Sequence, residues 1–593
     1  MASLRKEMCM LKLLKNLRKK EVACLVISMI FIVVQVWLDL KMPDYMSKIT
    51  ELVQTKESGM KDILIQGGYM LSCALLSFLS AVIVGYFASN LAASFARNLR
   101  SKVFNKVLDF STEEIKKFST SSLITRTTND VSQVQMLLSV GTQMIIKAPI
   151  MAVWAVIKIS GKNFTWSMIT GVAVLILITM IVSLIIIVLP RFKVVQKLID
   201  NLNRIIRENL TGIRVIRAYN AEEYQENKFK AANDELTSTQ MFNQRMMAII
   251  SPVMNIIMQG LTLAIYLSGA YIINDANMMD KIGIFSDMVV FSSYAIQVLS
   301  AFMMLALIFI IYPRASVSAK RITEVLDTPL SLKDGTKDVG NEVGTVEFKN
   351  VSFKYPDAEE YMLHNVTFKA KRGETVAFIG STGSGKSTVI NLIPRFYDAT
   401  EGQVLIDGID VKEYKQEKLH NIIGYIPQKA VMFDGTVIDN ISYGDNGKEK
   451  PSMQKIEEAV KVAQATDFVE KMQDKYESHI AQGGTNVSGG QKQRLSIARA
   501  IAREPEIYIF DDSFSALDYK TDFNLRKALK EYTKDATNLI VAQRIGTIKE
   551  ADQIIVLDQG NVVGHGTHKE LLKNCEVYKE IALSQLSEEE LEG

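Results

Sequence analysis

Six long apolar runs in the first half of the chain constrain its fold more than any other feature. They span approximately residues 22–38, 63–93, 137–159, 166–190, 246–274 and 282–312. A helix needs about 20 apolar residues to cross the hydrocarbon core of a bilayer, and each run approaches or exceeds that length. A buried helix of a globular domain can mimic one such run, but not six in succession. The pattern therefore predicts six transmembrane helices.

Basic residues indicate how these helices are oriented. Lys and Arg are concentrated in the leader, in the segment 97–126 after the second run and in the segment 191–245 after the fourth. The connections on the other side of the membrane contain few basic residues, except 39–62, where acidic residues balance the lysines. Because cytoplasmic segments carry the excess of Lys and Arg, both termini are expected to face the cytoplasm, with the helices in the cell membrane. Residues 191–245 contain almost no Gly or Pro and repeat apolar residues at helical spacing. The helices are thus predicted to continue well beyond the bilayer, by about 30 Å for 20 extra residues.

Composition excludes several other classes of protein. The 593 residues carry a net charge of only +3, which gives no sign of a polycation that binds nucleic acid. The basic leader runs into an apolar stretch that is too long for a signal peptide. Scattered cysteines without a CxxC pair predict reduced thiols instead of a disulfide or zinc framework. The four cysteines are Cys9, Cys24, Cys73 and Cys575.

The second half of the chain has a different pattern. From Thr345 onward, short β-branched runs alternate with helical segments, which predicts an α/β domain with a largely parallel core sheet. The predicted fold class is an α-helical membrane domain at 1–315, with six transmembrane helices and long cytoplasmic extensions, followed by an α/β P-loop domain at 345–593. A mixed polar linker is expected at 316–344, and the acidic tail SEEELEG is expected to be solvated.

A phosphate-binding loop is the firmest functional prediction. The strand ETVAFIG precedes GSTGSGKS, residues 380–387, and an apolar helix follows. Glycines in this spacing let backbone N–H groups surround a phosphate, and the positive end of the helix dipole points toward it. Lys386 is expected to reach the β- and γ-phosphates of ATP. The loop residues expected to bind ATP are Ser381, Thr382, Gly383, Ser384, Gly385, Lys386, Ser387 and Thr388.

Polar residues that follow two other strands complete the predicted site. Asp511 ends the apolar strand IYIFD and is the expected partner of the Mg²⁺ shell, together with the Ser387 hydroxyl. Gln428 follows the strand in GYIPQ and is a candidate to touch Mg²⁺ or the attacking water. Considered alone, Gln428 is equally consistent with a solvated loop residue. The expected cofactors are ATP and Mg²⁺.

In the sequence, two adjacent glycines, Gly489 and Gly490, lie between GYIPQ and IYIFDD. In VSGGQKQR, residues 487–494, two glycines after Ser488 open a helix and form another anion-receptive helix start. One P-loop cannot use both helix starts at once. The second must receive phosphate from a nucleotide that is held by another polypeptide.

The order GSTGSGKS, GYIPQ, VSGGQ, IYIFDD and SALD resembles that of an ATP-binding cassette (ABC) ATPase. With six spans before it, the chain resembles a half-transporter of the type I ABC exporter family, and RENLTGIRVIRAYNAEE and LITRTTND are similar to the intracellular loops of that family. The resemblance implies that Tyr355 stacks on adenine and that Asp518 signals between two nucleotide sites. It also implies that Ser488, Gly489, Gly490 and Gln491 bind the γ-phosphate of ATP on the opposite subunit.

The chain departs from the family pattern at functionally important positions. Asp512 stands where the family has its catalytic Glu, and Gln543 replaces the switch His. Gln482 replaces the usual acidic residue before the signature, and Val487 replaces Leu within it. All five histidines lie elsewhere, at His364, His420, His479, His565 and His568. Because Asp is shorter by about 1.5 Å, we expect slow hydrolysis at this P-loop, although Asp512 can also be a tolerated variant.

These departures and the family resemblance together imply one half of a heterodimeric, multidrug-type exporter in a bacterial cell membrane. The partner half-transporter would supply the missing Glu and His, while this chain contributes its signature. A hydrophobic or amphipathic substrate is expected, and lipid or peptide export, a nucleotide-gated channel and a non-pumping regulatory subunit are the alternatives. Segments 119–123 and 219–223 are predicted to couple the two domains. The candidates for the substrate path are Gln35, Lys147, Asn255, Gln259, Asp287 and Gln297.

Overall fold

The chain folds into two compact units. A computed structural model describes residues 10, 12–15, 17–54, 59–160, 162–277 and 280–586, so Cys9 and the acidic tail lie outside the described residues. The first unit comprises 1–108 and 121–328, and the second comprises 109–120 and 329–593. The short segment 109–120 therefore belongs to the second unit although it interrupts the first in sequence.

The first unit is entirely helical in its described part. Six of its helical segments are long and apolar enough to cross a membrane, and each contains one of the six apolar runs, so this prediction is confirmed. The helices of this unit are α1 (Lys19–Gln54), α2 (Met60–Leu108), α4 (Thr120–Thr127), α5 (Asn129–Met136), α6 (Thr142–Ile159), α7 (Phe164–Thr211), α8 (Ile213–Ala218), α9 (Glu222–Ala248), α10 (Ile250–Asp275) and α11 (Lys281–Asp327), with a π-helical turn at Leu137–Gly141; α3 (Thr112–Phe118) belongs to the second unit.

Two of these helices are longer than the hydrophobic pattern indicated. Helix α1 continues to Gln54 through the polar residues that follow the first apolar run. Helix α11 ends at Asp327, inside the predicted linker, because Ala319, Ile322 and Val325 continue a fully buried stripe at helical spacing. The chain passes into the second unit after Thr328, where Pro329 prevents a further helical turn.

Small side chains allow the membrane-unit helices to pack closely. Ala88, Ala92 and Ala96 follow one another at four-residue spacing on α2, and each is at most 1% exposed. Close backbone approach at small residues is the usual way in which transmembrane helices associate. Near the start of α7, the buried rings of Trp166 and Phe291 lie 5.4 Å apart.

The second unit contains three sheets and ten further helices in its described part. The strands are β1 (Val346–Phe353), β2 (Leu363–Ala370), β3 (Thr375–Gly380), β4 (Glu401–Ile406), β5 (Ile409–Asp410), β6 (Ile423–Ile426), β7 (Gly435–Thr436), β8 (His479–Ile480), β9 (Ile507–Asp511), β10 (Thr537–Val541), β11 (Gln553–Asp558) and β12 (Asn561–Gly566). The helices are α12 (Lys386–Leu392), α13 (Gln416–Asn421), α14 (Val437–Ile441), α15 (Met453–Val462), α16 (Thr466–Val469), α17 (Gly489–Ala502), α18 (Tyr519–Tyr532), α19 (Ile545–Ile548), α20 (His568–Asn574) and α21 (Glu576–Leu583).

The core sheet is largely parallel, as predicted. Its strand order is β12-β11-β3-β10-β9-β6, and only the β11–β12 pair is antiparallel. A four-stranded antiparallel sheet, β2-β1-β4-β5, packs beside it. Buried aromatic rings fill the space between the sheets: Phe368 lies 4.6 Å from Phe348 and 5.3 Å from Phe378, measured between ring centroids.

A buried carboxylate lies at the end of the four-stranded sheet. Asp407 is 4% exposed, and its Oδ1 accepts a hydrogen bond of 2.8 Å from the backbone N–H of Thr345. Burial, reinforced by the nearby negative charge of Glu506, raises the pKa of Asp407 to about 6. An unfolded Asp has a pKa of about 3.9, so between these values the folded chain holds a proton that the unfolded chain has released. The contribution of Asp407 to stability is therefore lost as the pH rises toward 6.

We expect Asp407→Asn to stabilise the protein above pH 6. The amide oxygen can still accept from Thr345, Asn tolerates the backbone φ of +52° at this position, and the cost of a buried charge is removed. The gain is at most about 3 kcal/mol, the equivalent of two pKa units. Thermal unfolding of the full-length protein in detergent should show a larger gain in midpoint for the variant at pH 8 than at pH 5. The exposed Asp535→Asn is the control, and an equal shift at both pH values would contradict this account.

Candidate functional site

The carboxyl ends of four neighbouring strands define the candidate site. In the parallel order β3-β10-β9-β6, all four strands end at the same edge of the sheet. The loops that leave this edge carry the P-loop after β3, Gln543 after β10, Asp512 after β9 and Gln428 after β6. In open α/β sheets, ligands bind at this edge. Residues that are far apart in sequence are thus brought together by strand pairing.

The P-loop has the backbone that phosphate binding requires. Gly383 and Gly385 have φ values of +86° and +100°, which favour glycine. Residues 381–383 are exposed, whereas Ser384, Gly385 and Lys386 are buried where α12 begins. A Cβ on Gly385 would lie 2.6 Å from Cδ2 of Leu363, so a side chain there requires the buried Leu363 side chain to shift.

The ammonium group of Lys386 lies inside the curve of this loop. Its Nζ donates hydrogen bonds to the backbone carbonyls of Gly380 at 2.9 Å and Ser381 at 2.7 Å. Burial lowers the pKa of Lys386, while Asp512 and Asp511 act in the opposite direction. A cation held among exposed loop N–H groups is suited to a polyphosphate.

Ser387 and Asp511 provide two oxygen atoms for a cation. The hydroxyl of Ser387, on the first turn of α12, donates a hydrogen bond of 2.9 Å to Oδ1 of Asp511. Burial raises the pKa of Asp511, and this hydrogen bond partly offsets the effect. No group of three or more His, Cys, Asp or Glu side chains suited to a metal occurs among the described residues. A site with one carboxylate and one hydroxyl fits Mg²⁺, which keeps several waters and commonly shares phosphate oxygens.

Asp512, Gln428 and Gln543 form one hydrogen-bonded cluster. Oδ2 of Asp512 accepts from Nε2 of Gln543 at 2.9 Å and from Nε2 of Gln428 at 3.1 Å. Asp512 is 7% exposed and has a φ of +45°, a conformation fixed in part by its backbone N–H, which donates to the carbonyl of Val541 at 3.0 Å. Burial raises the pKa of Asp512, while hydrogen bonds from Gln428, Ser515 and Gln543 act to lower it. Both substituted positions therefore lie in direct contact.

The second glycine motif begins a well-capped helix. Ser488 precedes α17, its Oγ accepts from the N–H of Gln491 at 3.4 Å, and Oε1 of Gln491 accepts from the N–H of Ser488 at 2.9 Å. Ser488 and Gly489 are exposed, and apart from the adjoining residues and backbone of the same helix, no atom of the described residues lies within 4 Å of the place where a Cβ of Gly489 would be. A Cβ on Gly490 would lie 3.4 Å from the carbonyl oxygen of Ala516. The helix start is therefore accessible to an anion from outside.

Two residues implied by the family resemblance have structural contacts of their own. Asp518 is the N-cap of α18, and its Oδ1 accepts from the N–H of Thr521 at 3.0 Å, a hydrogen bond that lowers the pKa of Asp518. The Tyr355 hydroxyl lies 3.0 Å from Oγ1 of Thr388. Its ring meets that of Tyr397 edge-on at a centroid distance of 5.4 Å. Sequence reasoning missed Tyr397, because no motif connects it to Tyr355.

The predicted coupling segments lie at boundaries in the structure. The division between the two units falls between Thr120 and Ser121, inside the segment 119–123. The segment 219–223 covers the break between α8 and α9 and the first two residues of α9, and its first residue, Tyr219, is 79% exposed. Their role in coupling stays a prediction.

Within the membrane unit, two of the six candidate path residues contact the same residue, Asp39. Nζ of Lys147 lies 3.1 Å from Oδ2 of Asp39, and Nε2 of Gln297 donates to the backbone carbonyl of Asp39 at 3.2 Å. Ser77 donates its hydroxyl to Oδ1 of Asp39 at 2.5 Å. Helices α1, α2, α6 and α11 thus share one polar cluster.

The other candidates are not part of this cluster. Asp287 pairs with Lys162 at 2.6 Å in a half-exposed position. Asn255 and Gln259 are exposed on α10, and Gln35 is half-buried on α1. Only Lys147 and Gln297 are therefore brought together.

Comparisons with known proteins agree in both units. A family model described as "ABC transporter" matches residues 363–515, and one described as "ABC transporter transmembrane region" matches residues 25–302. An uncharacterized ABC transporter ATP-binding protein of Mycobacterium tuberculosis is 40% identical over 525 residues, covering 88% of each chain. An ATP-dependent lipid A-core flippase of Pseudomonas fluorescens is 30% identical over 498 residues, covering 83% of this chain and 81% of the flippase.

A solved structure shows the same fold. It is described as a bacterial Atm1-family ABC exporter with ATP bound, and it matches with a TM-score of 0.80 at 22% sequence identity. The match covers 96% of this chain and 100% of that chain. The order of the six long helices and the α/β unit is therefore that of an exporter.

We expect Gly385→Ala to weaken ATP binding by about ten-fold or more, because an L-residue in a strained backbone conformation costs about 1–3 kcal/mol. The clash with Leu363 adds to this strain. Equilibrium ATP binding to the full-length protein measures the effect. Gly546→Ala is the matched control, since no atom of the described residues lies within 4 Å of its added Cβ. Equal affinities for the two variants would contradict the role given to Gly385.

Proposed function

The chain belongs to the ABC transporter family as a type I exporter half-transporter, and on that basis we propose that it exports a hydrophobic or amphipathic substrate as one half of a heterodimer. Its own P-loop site binds ATP and hydrolyses it slowly. Its signature residues, Ser488 to Gln491, complete the productive site on the partner. The observation that carries this proposal is the bond of one Asp512 carboxylate oxygen to two glutamine amides.

The short side chain of Asp512 supports slow hydrolysis, because it extends less far toward the γ-phosphate than the side chain of Glu. A catalytic carboxylate must hold the water in line with the γ-phosphorus, and an error near 1 Å can cost about 100-fold in rate. Asp512 has a shorter side chain than Glu, and one of its oxygens already accepts two hydrogen bonds. Burial raises the pKa of Asp512. Gln543, unlike His, cannot become a cation that stabilises the developing charge.

The signature helix supports the trans role. Its accessible N-terminus and two glycines suit a phosphate that arrives from outside the chain. Lys386 and the P-loop already form a phosphate site within the chain, so a second nucleotide must be held by another subunit. A partner with Glu and His at the positions of Asp512 and Gln543 would form the site that turns over.

The residues present also indicate how this chain holds its nucleotide. Ser387, Asp511 and Gln428 would hold Mg²⁺, which neutralises phosphate charge when it is bound. Lys386 orients the phosphates, and Tyr355 supports the adenine. Closing of two nucleotide-binding domains on two ATP molecules would be transmitted through the helix extensions around 119–123 and 219–223. Alternating access in the membrane domain would follow.

An amphipathic lipid is the second candidate for the substrate. The observation that favours it is the likeness to the lipid A-core flippase, which extends over four-fifths of the chain. The polar cluster around Asp39 offers a place for a polar headgroup among apolar helices, since charged groups within spans commonly mark substrate paths.

Within the heterodimer, we expect Gly490→Asp in this chain to reduce ATP turnover by at least about ten-fold, because a carboxylate facing a γ-phosphate costs several kcal/mol. Asp512→Asn should change turnover by less than about two-fold, since most hydrolysis occurs at the other site. Steady-state ATPase activity of the purified pair measures both effects. Brisk hydrolysis by this chain alone, or a large loss in Asp512→Asn, would contradict the proposed asymmetry.

We expect Lys147→Gln to reduce the uptake of a fluorescent amphipathic dye into vesicles by about ten-fold. An effect of this size corresponds to the loss of one charge-assisted hydrogen bond. Basal ATPase activity should stay unchanged. Because Lys147→Gln leaves Asp39 unpaired, the double variant Asp39→Asn with Lys147→Gln tests whether any defect is only one of stability. Lys162→Gln removes the partner of Asp287 and is the control. Normal uptake by the double variant would place the cluster outside the substrate path.

A further inference from the structure

The segment 109–120 carries a helix that packs on the nucleotide-binding unit. Helix α3 begins after Ser111, whose side chain accepts from the N–H of Glu113 at 3.2 Å. The segment connects α2 with α4, yet it belongs to the same compact unit as the P-loop. It is therefore a part of the membrane-domain sequence that lies on the ATP-binding unit.

Glu114 fixes this helix in place. It is 4% exposed, and its two carboxylate oxygens accept from the backbone N–H groups of Ser111 and Ser331, both at 2.7 Å. Burial acts to raise the pKa of Glu114, but hydrogen bonds from the side chains and backbone N–H groups of Ser111 and Ser331 outweigh it and hold the pKa below its ordinary value. The position of α3 is thus set by a charged group that bonds to backbone on two separate parts of the chain.

Lys116, half a helical turn beyond Glu114, reaches the predicted adenine residue. Its Nζ lies 5.3 Å from the centroid of the Tyr355 ring and 5.6 Å from that of the Tyr397 ring. Both distances are within the range of cation–π attraction. Hydrogen bonding to Tyr397 raises the pKa of Lys116, so the side chain is a cation at neutral pH.

The Tyr355 ring is held on its other sides by groups of the nucleotide-binding unit. Phe353 and Tyr397 meet it edge-on at centroid distances of 4.8 and 5.4 Å. Its hydroxyl lies 3.0 Å from Oγ1 of Thr388, on the helix that follows the P-loop. Lys116 is the contribution of the membrane-domain sequence to this arrangement.

We propose that Lys116 is a positioning residue of the nucleotide site, which holds the Tyr355 ring in the orientation that adenine stacks on. The proposal rests on the proposed role of Tyr355 in ATP binding. An aromatic ring that is already oriented loses less conformational freedom when a base stacks on it. Removal of an exposed cation–π contact should then weaken ATP binding by about three-fold. The phosphate-binding loop has no part in this cation–π contact, so phosphate binding should be unaffected.

The test compares ATP with inorganic tripolyphosphate, which lacks adenine. Both are titrated by calorimetry into the full-length protein in detergent. Lys116→Met should weaken ATP binding about three-fold and leave tripolyphosphate binding unchanged. Lys116→Arg should retain ATP affinity, because a guanidinium also stacks on aromatic faces. Lys117→Met, one residue along the same helix, should match the unmodified protein for both ligands.

Three results would overturn the proposal: unchanged ATP affinity in Lys116→Met, tighter ATP binding in that variant, or an equal loss for both ligands. The first result would mean that Lys116 does not support ATP binding, and the second that it competes with adenine for the Tyr355 ring. The third would indicate a general structural defect. Tyr355→Leu distinguishes this failure from failure of the adenine assignment. If Tyr355→Leu binds ATP normally, Tyr355 does not hold adenine; if it binds ATP weakly while Lys116→Met does not, only the role of Lys116 is wrong.

Discussion

Parallel pairing of β3, β10, β9 and β6 is the constraint on which the nucleotide site depends. Because the four strands run in the same direction, the loops at their carboxyl ends leave one edge of the sheet together. The P-loop and the polar residues Gln428, Asp512 and Gln543 meet there, although 163 positions separate Gly380 from Gln543 in the numbering of the chain. A shift of one residue in any pairing would point these side chains to the opposite face.

The cluster at Asp512 links this geometry to the proposed asymmetry of the transporter. A buried carboxylate requires hydrogen-bond donors, and the two glutamine amides supply them to the same oxygen. Both donors to this oxygen are neutral amides, which cannot become positively charged. The signature helix, in contrast, presents its capped and open N-terminus outward. In the proposed function, one chain thus combines a slow nucleotide site with a second surface that contacts the nucleotide of a partner.

Much of the architecture was predictable because it depends on local patterns. Six apolar runs are long enough to require membrane helices, and the P-loop spacing between a strand and a helix is typical of a phosphate-binding loop. The end of α11 was placed too early, since polar residues on its exposed side hid the buried stripe at Ala319, Ile322 and Val325. The assignment of the segment 109–120 to the second unit could not be predicted, because Glu114 reaches Ser331 only after the chain has folded.

The sequence by itself determined the six spans, the order of the two units, the phosphate-binding loop and the unusual residues Asp512 and Gln543. These follow from hydrophobic length, strand and helix periodicity, and backbone requirements of glycine, all of which act over short stretches of chain. Only the tertiary structure decided that Gln543 and Gln428 share one oxygen of Asp512, that Lys147 meets Asp39, and that Lys116 lies over Tyr355. Such contacts join residues from separate elements, and their distances are set by how strands pair and helices pack, which no local pattern specifies.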